Sequence, residues 1–304
     1  MKINSYHPFR SSKAREQFLS SYDTLAKKWP VPSETIVIKT SYGTTFVRIS
    51  GPVDGLPIVL LHGHLENSLN WLPNIEELSQ DYRTYAIDTI SDPGRSIYTK
   101  LLKSSEDFTN WLDEVFDGLG LEQGINLIGL SYGGWLTSQY ALRFPHRLGK
   151  IILIVPGGIA PFSLRFLLFA ILLGMFQFKI KFLFKQLTRW LFFDFLEKDI
   201  KNETKFNEWF NFLYLGMQSH KSPPMVFATS LSDEDIQKLT MPTLILVGEN
   251  EVVYSVKKML ERIQKLEHNI KINVIKNAGH DLTFSQPQSV NLAILDFLKH
   301  DKSH

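Results

Sequence analysis

The stretch INLIGLSYGGWLTSQYALRF, Ile125 to Phe144, decides the fold. Its opening residues make a short apolar run of strand type, and GGWLTSQYALRF reads as a helix. Between them, Gly129-Leu130-Ser131-Tyr132-Gly133 is a G-x-S-x-G turn. Glycines on either side of the serine remove the Cβ clashes of a sharp strand-to-helix turn. Such a turn lifts the serine hydroxyl clear of the sheet, and the helix N-terminus behind it offers backbone N–H groups to a developing anion. The plain alternative is an ordinary helix N-cap. The strand before and the helix after favour a nucleophile at Ser131.

A serine hydroxyl attacks poorly at neutral pH, so a base must lie close to it in the fold. His280, in Asn277-Ala278-Gly279-His280 just past the strand-like run KINVIK, is the best candidate, because α/β sheets build sites at strand C-termini. His62 and His64 also follow a strand, whereas the other six histidines sit in tails or in segments with no strand before them. A carboxylate must then orient the imidazole. The run TLILVG ends at Glu249-Asn250-Glu251, which keeps the chain order Ser, acid, His and leaves both glutamates as candidates, against the plainer reading of solvated charges. The other place for the acid, after IILIV, reads Pro156-Gly157-Gly158-Ile159 and holds no carboxylate.

Further out the same rhythm repeats. Thr35 to Lys39 and Thr44 to Ser50 alternate around Ser41-Tyr42-Gly43, as an antiparallel hairpin does. Short apolar runs recur at 58–61, 84–87, 125–128, 151–155, 243–247 and 272–275, and their continuity suits strands covered on both faces. Helical spacing, as in Phe108, Trp111, Leu112, Val115, Phe116 and Leu119, separates them. Strands alternating with helices make an α/β protein with a mostly parallel central sheet flanked by helices. The rhythm stops between Gly157 and Ser230, where Phe, Leu and Trp dominate. The expected division is a polar N-terminal helical arm (1–34), an α/β core (35–156 and 231–304) and a helical cap insertion (157–230).

The 304 residues, 44% hydrophobic and 21% charged, suit one folded body with an insertion. With 33 basic and 31 acidic residues the net charge of +2 gives no field that recruits nucleic acid. The absence of cysteine excludes disulfides, a thiol nucleophile and Cys-bearing metal sites. His62-x-His64 with Glu66 falls short of a metal site, since zinc needs three or four converging protein ligands. Phe166 to Phe176 is shorter than the roughly 20 apolar residues that span a bilayer, and the N-terminal residues lack the apolar core of an export signal, so a cytoplasmic location is expected. In the insertion, Lys181, Lys185 and Arg189 fall on one helical face, near Lys179, Phe176, Phe178, Phe182 and Phe184. A basic amphipathic helix can contact an anionic membrane; a solvated cationic face opposite an apolar core face is the expected arrangement here. Nothing in the pattern sets an oligomeric state.

The HG after IVLL, the stretch from Asp88 to Ser96, the GLSYGG turn, the GENE loop and the AGH loop follow one another over residues 35–300 in the order of the α/β-hydrolase superfamily, which the chain resembles. WLPNIEELS, RTYAID, LVGENEVVY and VIKNAGH look most like bacterial carboxylesterases that cleave arylpropionate esters such as naproxen esters. The resemblance implies an α/β-hydrolase fold, hydrolysis of a small-molecule ester with an apolar part through an acyl-enzyme, and no cofactor or metal. It makes Ser131 the nucleophile, His280 the base and Glu251 the acid, the third residue after Gly248, at a position where aspartate is commoner. The oxyanion hole would be the backbone N–H groups of His64 and Tyr132, with Gly129 and Gly133 as the glycines of the turn. His62 would serve structural hydrogen bonding, the His64 side chain would pack or face solvent, and the loop with Asp92-Pro93-Gly94 in place of G-x-G would buttress the turn. Relatives with this triad also cleave carbon–carbon bonds or lactones, and a small-molecule receptor or lipid-surface binding protein can keep the fold; five intact elements favour the esterase.

Overall fold

The computed structural model describes residues 4–175, 180–221, 223–266 and 270–299; Phe176, Phe178 and Lys179 lie outside them. Among the described residues nine strands make one sheet. The alternating runs β1 (Ser33–Thr40) and β2 (Gly43–Ser50) pair antiparallel as a hairpin. β3 (Leu56–Leu61), β4 (Tyr82–Ile87), the short β5 (Ile97–Tyr98), β6 (Ile125–Leu130), β7 (Leu148–Ile154), β8 (Thr243–Gly248) and β9 (Ile270–Ile275) follow. The order across the sheet is β1-β2-β4-β3-β6-β7-β8-β9, parallel from β4 to β9, with β5 added alongside β2.

β6 and β8 are buried at every position, as their continuous apolar sequence requires. β9 departs from that expectation. It closes the parallel side of the sheet and leaves Lys271, Asn273 and Val274 exposed, so only part of it is covered.

Helices α1 (Ser12–Ala26), α2 (Ile75–Asp81), α3 (Ser105–Gly118) and α4 (Tyr132–Arg143) precede β7. α3 illustrates their logic: Ser104 caps it by accepting from Asp107 N–H, Glu106 and Asp107 complement its N-terminal dipole, and Phe108, Trp111, Leu112, Val115 and Phe116 form the buried stripe. α1, in the expected N-terminal arm, packs against α8. Phe18 and Tyr22 are fully buried, Phe18 stacks on Phe212, and Phe9 bridges to His220.

Between β7 and β8 lie α5 (Leu164–Met175), α6 (Lys181–Leu191), α7 (Phe193–Lys198) and α8 (Asn202–Ser219), and α9 (Asp233–Gln237) leads back to β8. α10 (Val256–Lys265), α11 (Leu282–Ser285) and α12 (Pro287–Lys299) complete the chain. The insertion has its own core of Phe184, Phe192, Phe195, Phe206, Phe210 and Leu213. Its basic face is not simply solvated: Lys181, Lys185 and Arg189 stand over the rings of Tyr214, Phe210 and Phe206, a ladder of cations on α6 against a ladder of aromatics on α8. Among the described residues no helix is long and apolar enough to cross a membrane.

From β3 the chain passes to β4 on one side and later returns to β6 on the other, so the strand order, though not the strand direction, reverses between β3 and β6. Ligands of open α/β sheets bind outside the strand C-termini at such a point. His62-Gly63-His64 leaves β3 there, and Ser131 leaves β6 beside it.

Candidate active site

Ser131 occupies a backbone conformation that side-chain-bearing residues rarely adopt, φ 52° and ψ −107°. Strain of this kind costs about 1–3 kcal/mol and survives only where the surroundings over-determine it. Here Ser131 N–H donates to the Ile154 carbonyl at 2.8 Å, and the Ser131 carbonyl accepts from Gly157 N–H at 3.0 Å and Trp135 N–H at 3.1 Å. The flanking glycines are sterically obligatory: a Cβ on Gly129 would run into the Gly133 carbonyl, and one on Gly133 into the carbonyls of Leu61 and His62.

The hydroxyl so presented lies 3.0 Å from His280 Nε2, and His280 Nδ1 lies 2.9 Å from Glu251 Oε2. A carboxylate only accepts, so Nδ1 carries the proton and Nε2 is left to accept from the serine. The Glu251 side chain is 0% exposed, and its other oxygen accepts from Val253 N–H at 2.7 Å. Burial works against the charged imidazole, but the carboxylate of Glu251, by its charge and its hydrogen bond, outweighs that and raises the His280 pKa above its ordinary value. Glu249 plays a different part. It is exposed and accepts from Asn277 N–H at 3.3 Å, bracing the loop that carries His280.

Around His64 the neighbouring N–H groups are all taken. Gly63 N–H donates to Glu66, Leu65 N–H to Asp92, and Glu66 N–H to the Gly63 carbonyl. The N–H groups of His64 and of Tyr132 at the start of α4 have no acceptor among the described residues. The structure therefore brings together Ser131, His280, Glu251 and two unused donors.

A family model described as the alpha/beta hydrolase fold matches residues 57–287. The chain belongs to the α/β-hydrolase family. It is 34% identical over 289 residues to an uncharacterized carboxylesterase, nap, of Bacillus subtilis (strain 168), covering 92% of each chain. It is 31% identical to carboxylesterase YbfK of the same organism, covering 95% of this chain and 96% of the relative. Among solved structures it is similar to the naproxen esterase (carboxylesterase NP) of Bacillus subtilis, with a TM-score of 0.81 and 32% identity over 95% of this chain and 99% of the other.

In this hydrolase His62 does what the resemblance implies. Its Nε2 accepts from Thr89 N–H at 2.9 Å, so the proton sits on Nδ1 and is donated to the Gly63 carbonyl at 2.7 Å. That carbonyl belongs to the same peptide as His64 N–H, and polarising it makes the free N–H a better donor. The His64 ring is held by Asp92 at 3.1 Å and faces the Tyr132 ring, with centroids 5.5 Å apart. The Asp92 loop thus supports the β3 turn, in addition to the buttressing of the serine turn that the resemblance implies. From the sequence, Glu66 enters only as a metal-site candidate and Asp92 only as part of the supporting loop; their hydrogen-bond partners follow from the folded turn rather than from spacing. The signal available was the density of polar residues in His62-Gly63-His64-Leu65-Glu66-Asn67.

Proposed function

We propose that this chain is a carboxylesterase acting on small-molecule esters through Ser131, His280 and Glu251. The observation that carries the reading is the His280 ring poised between the Ser131 hydroxyl and a fully buried Glu251 carboxylate. Ser131 Oγ attacks the ester carbonyl while His280 Nε2 takes its proton, and the negative charge on the carbonyl oxygen is received by His64 and Tyr132 N–H at the positive end of α4. Collapse expels the alcohol, which leaves with the proton from His280. Water then attacks the acyl-enzyme, gives a proton to His280, and the acid departs as the proton returns to Ser131. Glu251 keeps the imidazole in the useful tautomer and stabilises the imidazolium in both halves.

In this reading the helices within 157–230 form a cap over the core of 35–156 and 231–304, with residues 1–34 strapped along it. The return from α8 supports that arrangement, because Tyr132 Oη donates to the Val226 carbonyl at 2.7 Å and Trp135 Nε1 reaches Thr229 Oγ1 at 3.3 Å. The likeness to naproxen esterase supports an ester with an apolar acyl or alcohol part. A fluorophosphonate probe should modify Ser131 alone, and Ser131→Ala should lower turnover of p-nitrophenyl butyrate by at least about 10⁴-fold. An adduct on another residue, or near wild-type turnover in that variant, would overturn the assignment.

A further inference from the structure

One acid at the site takes no part in that mechanism. Glu66, partly buried, closes the turn Gly63-His64-Leu65-Glu66 from both ends: its Oε2 accepts from Gly63 N–H at 3.1 Å, and its own N–H reaches the Gly63 carbonyl at 3.4 Å. Inside the turn Leu65 sits at φ 65°, a left-handed conformation unusual for leucine, held by Asp92 accepting from its N–H at 2.8 Å. A Cβ on Gly63 would stand 2.7 Å from Glu66 Oε2 and 3.8 Å from Ser131 Cβ, so the carboxyl and the serine flank the same glycine.

We propose that Glu66 is a positioning residue for ester hydrolysis: bonded to Gly63 from both ends, it fixes the turn that presents His64 N–H to the acyl oxygen. The proposal rests on the triad reading above and deepens it. The groups that face Glu66 are Asp92 from the loop after β4, His280 from the loop after β9, and the uncharged Asn70. The cleft beside it is walled by Trp209, Phe212 and Leu213 of α8 and by Phe18 and Leu25 of α1, none of them charged. Burial pushes the Glu66 carboxyl up to about 8; Gly63 N–H and His280 pull it down and Asp92 adds to the rise. Burial thus favours the neutral acid, whose carbonyl oxygen still accepts from Gly63. Above about 8 a negative charge appears in the turn that must hold the oxyanion. Ionised Glu66 would also favour the His280 imidazolium, but Glu251, in direct contact at 2.9 Å, already supplies that, so the loss at the oxyanion prevails.

The test is kcat and KM for p-nitrophenyl butyrate, corrected for spontaneous hydrolysis, across neutral to alkaline pH in the wild type, E66Q and E66L. The wild-type kcat should fall as pH rises through about 8. E66Q keeps an acceptor for Gly63 N–H and carries no charge, so its profile should lack that limb. E66L loses the acceptor and should lower kcat at neutral pH by about tenfold with KM little changed. An equal alkaline limb in E66Q, or wild-type kcat in E66L, would overturn the role of Glu66. Absent turnover in the wild type, or turnover surviving Ser131→Ala, would instead overturn the triad reading.

Discussion

Glu249 and Glu251 stand two residues apart and take opposite environments, one exposed and bonded to backbone, the other sealed beneath the imidazole. Their spacing after Gly248 said only that a carboxylate ends β8. Which one turns inward depends on where the loop after β9 lies, and that is a tertiary fact. Glu251→Gln should lower kcat by about 10³–10⁴-fold, because the amide can present its N–H to Nδ1 and favour the wrong tautomer. Glu249→Gln should stay within a few-fold, since an amide oxygen still accepts from Asn277 N–H. Steady-state kinetics on one ester separates the two. The same pairing fixes a pH dependence. Because the His280 pKa is raised, the base is lost to protonation at a higher pH than a free imidazole would show, and kcat/KM should fall as pH drops through that raised value. The acid limb should move to lower pH in whatever activity Glu251→Gln retains.

Elements defined by their own periodicity were legible: the hairpin, the six runs of the parallel sheet and α3 all lie where the pattern places them. Two-residue β5 is too short for any period, and the aromatic partner of the basic stripe on α6 could not be read from that helix's own spacing. Its true partner is the aromatic stripe of α8, some twenty residues further on, where rings and cations recur in step with the helical turn. Arg189 also reaches both carboxylate oxygens of Glu203 at 2.6 Å. Arg189→Ala should therefore destabilise the chain by about 1 kcal/mol, combining a cation–π contact with a partly exposed ion pair. Calorimetry should record a Tm lower by a few degrees, and high salt should narrow the difference by screening the Glu203 part. A variant melting with the wild type at low salt would return α6 to a solvated face.

At the scale of the molecule the apolar excess of the insertion is spent twice. Most of its aromatics pack against one another in a second core, which leaves fewer of them to meet a substrate. Partly buried Leu65, Trp209 and Phe284 pack beside that core, and of these Leu65, outside the insertion, directly follows His64 while Phe284 lies in α11 just after His280. A short apolar chain seated there removes its methylenes from water, each worth roughly 0.8 kcal/mol, or about fourfold in kcat/KM. Across p-nitrophenyl esters of increasing acyl length, kcat/KM should accordingly climb by up to about fourfold per carbon from acetate. The limited apolar rim should then make it level off at medium length rather than favour long chains. Phe284→Ala should flatten the climb while sparing acetate, because acetate has no methylene for the ring to cover. A series in which acetate is the best substrate would mean that these side chains complete the second core and leave the acyl group in water.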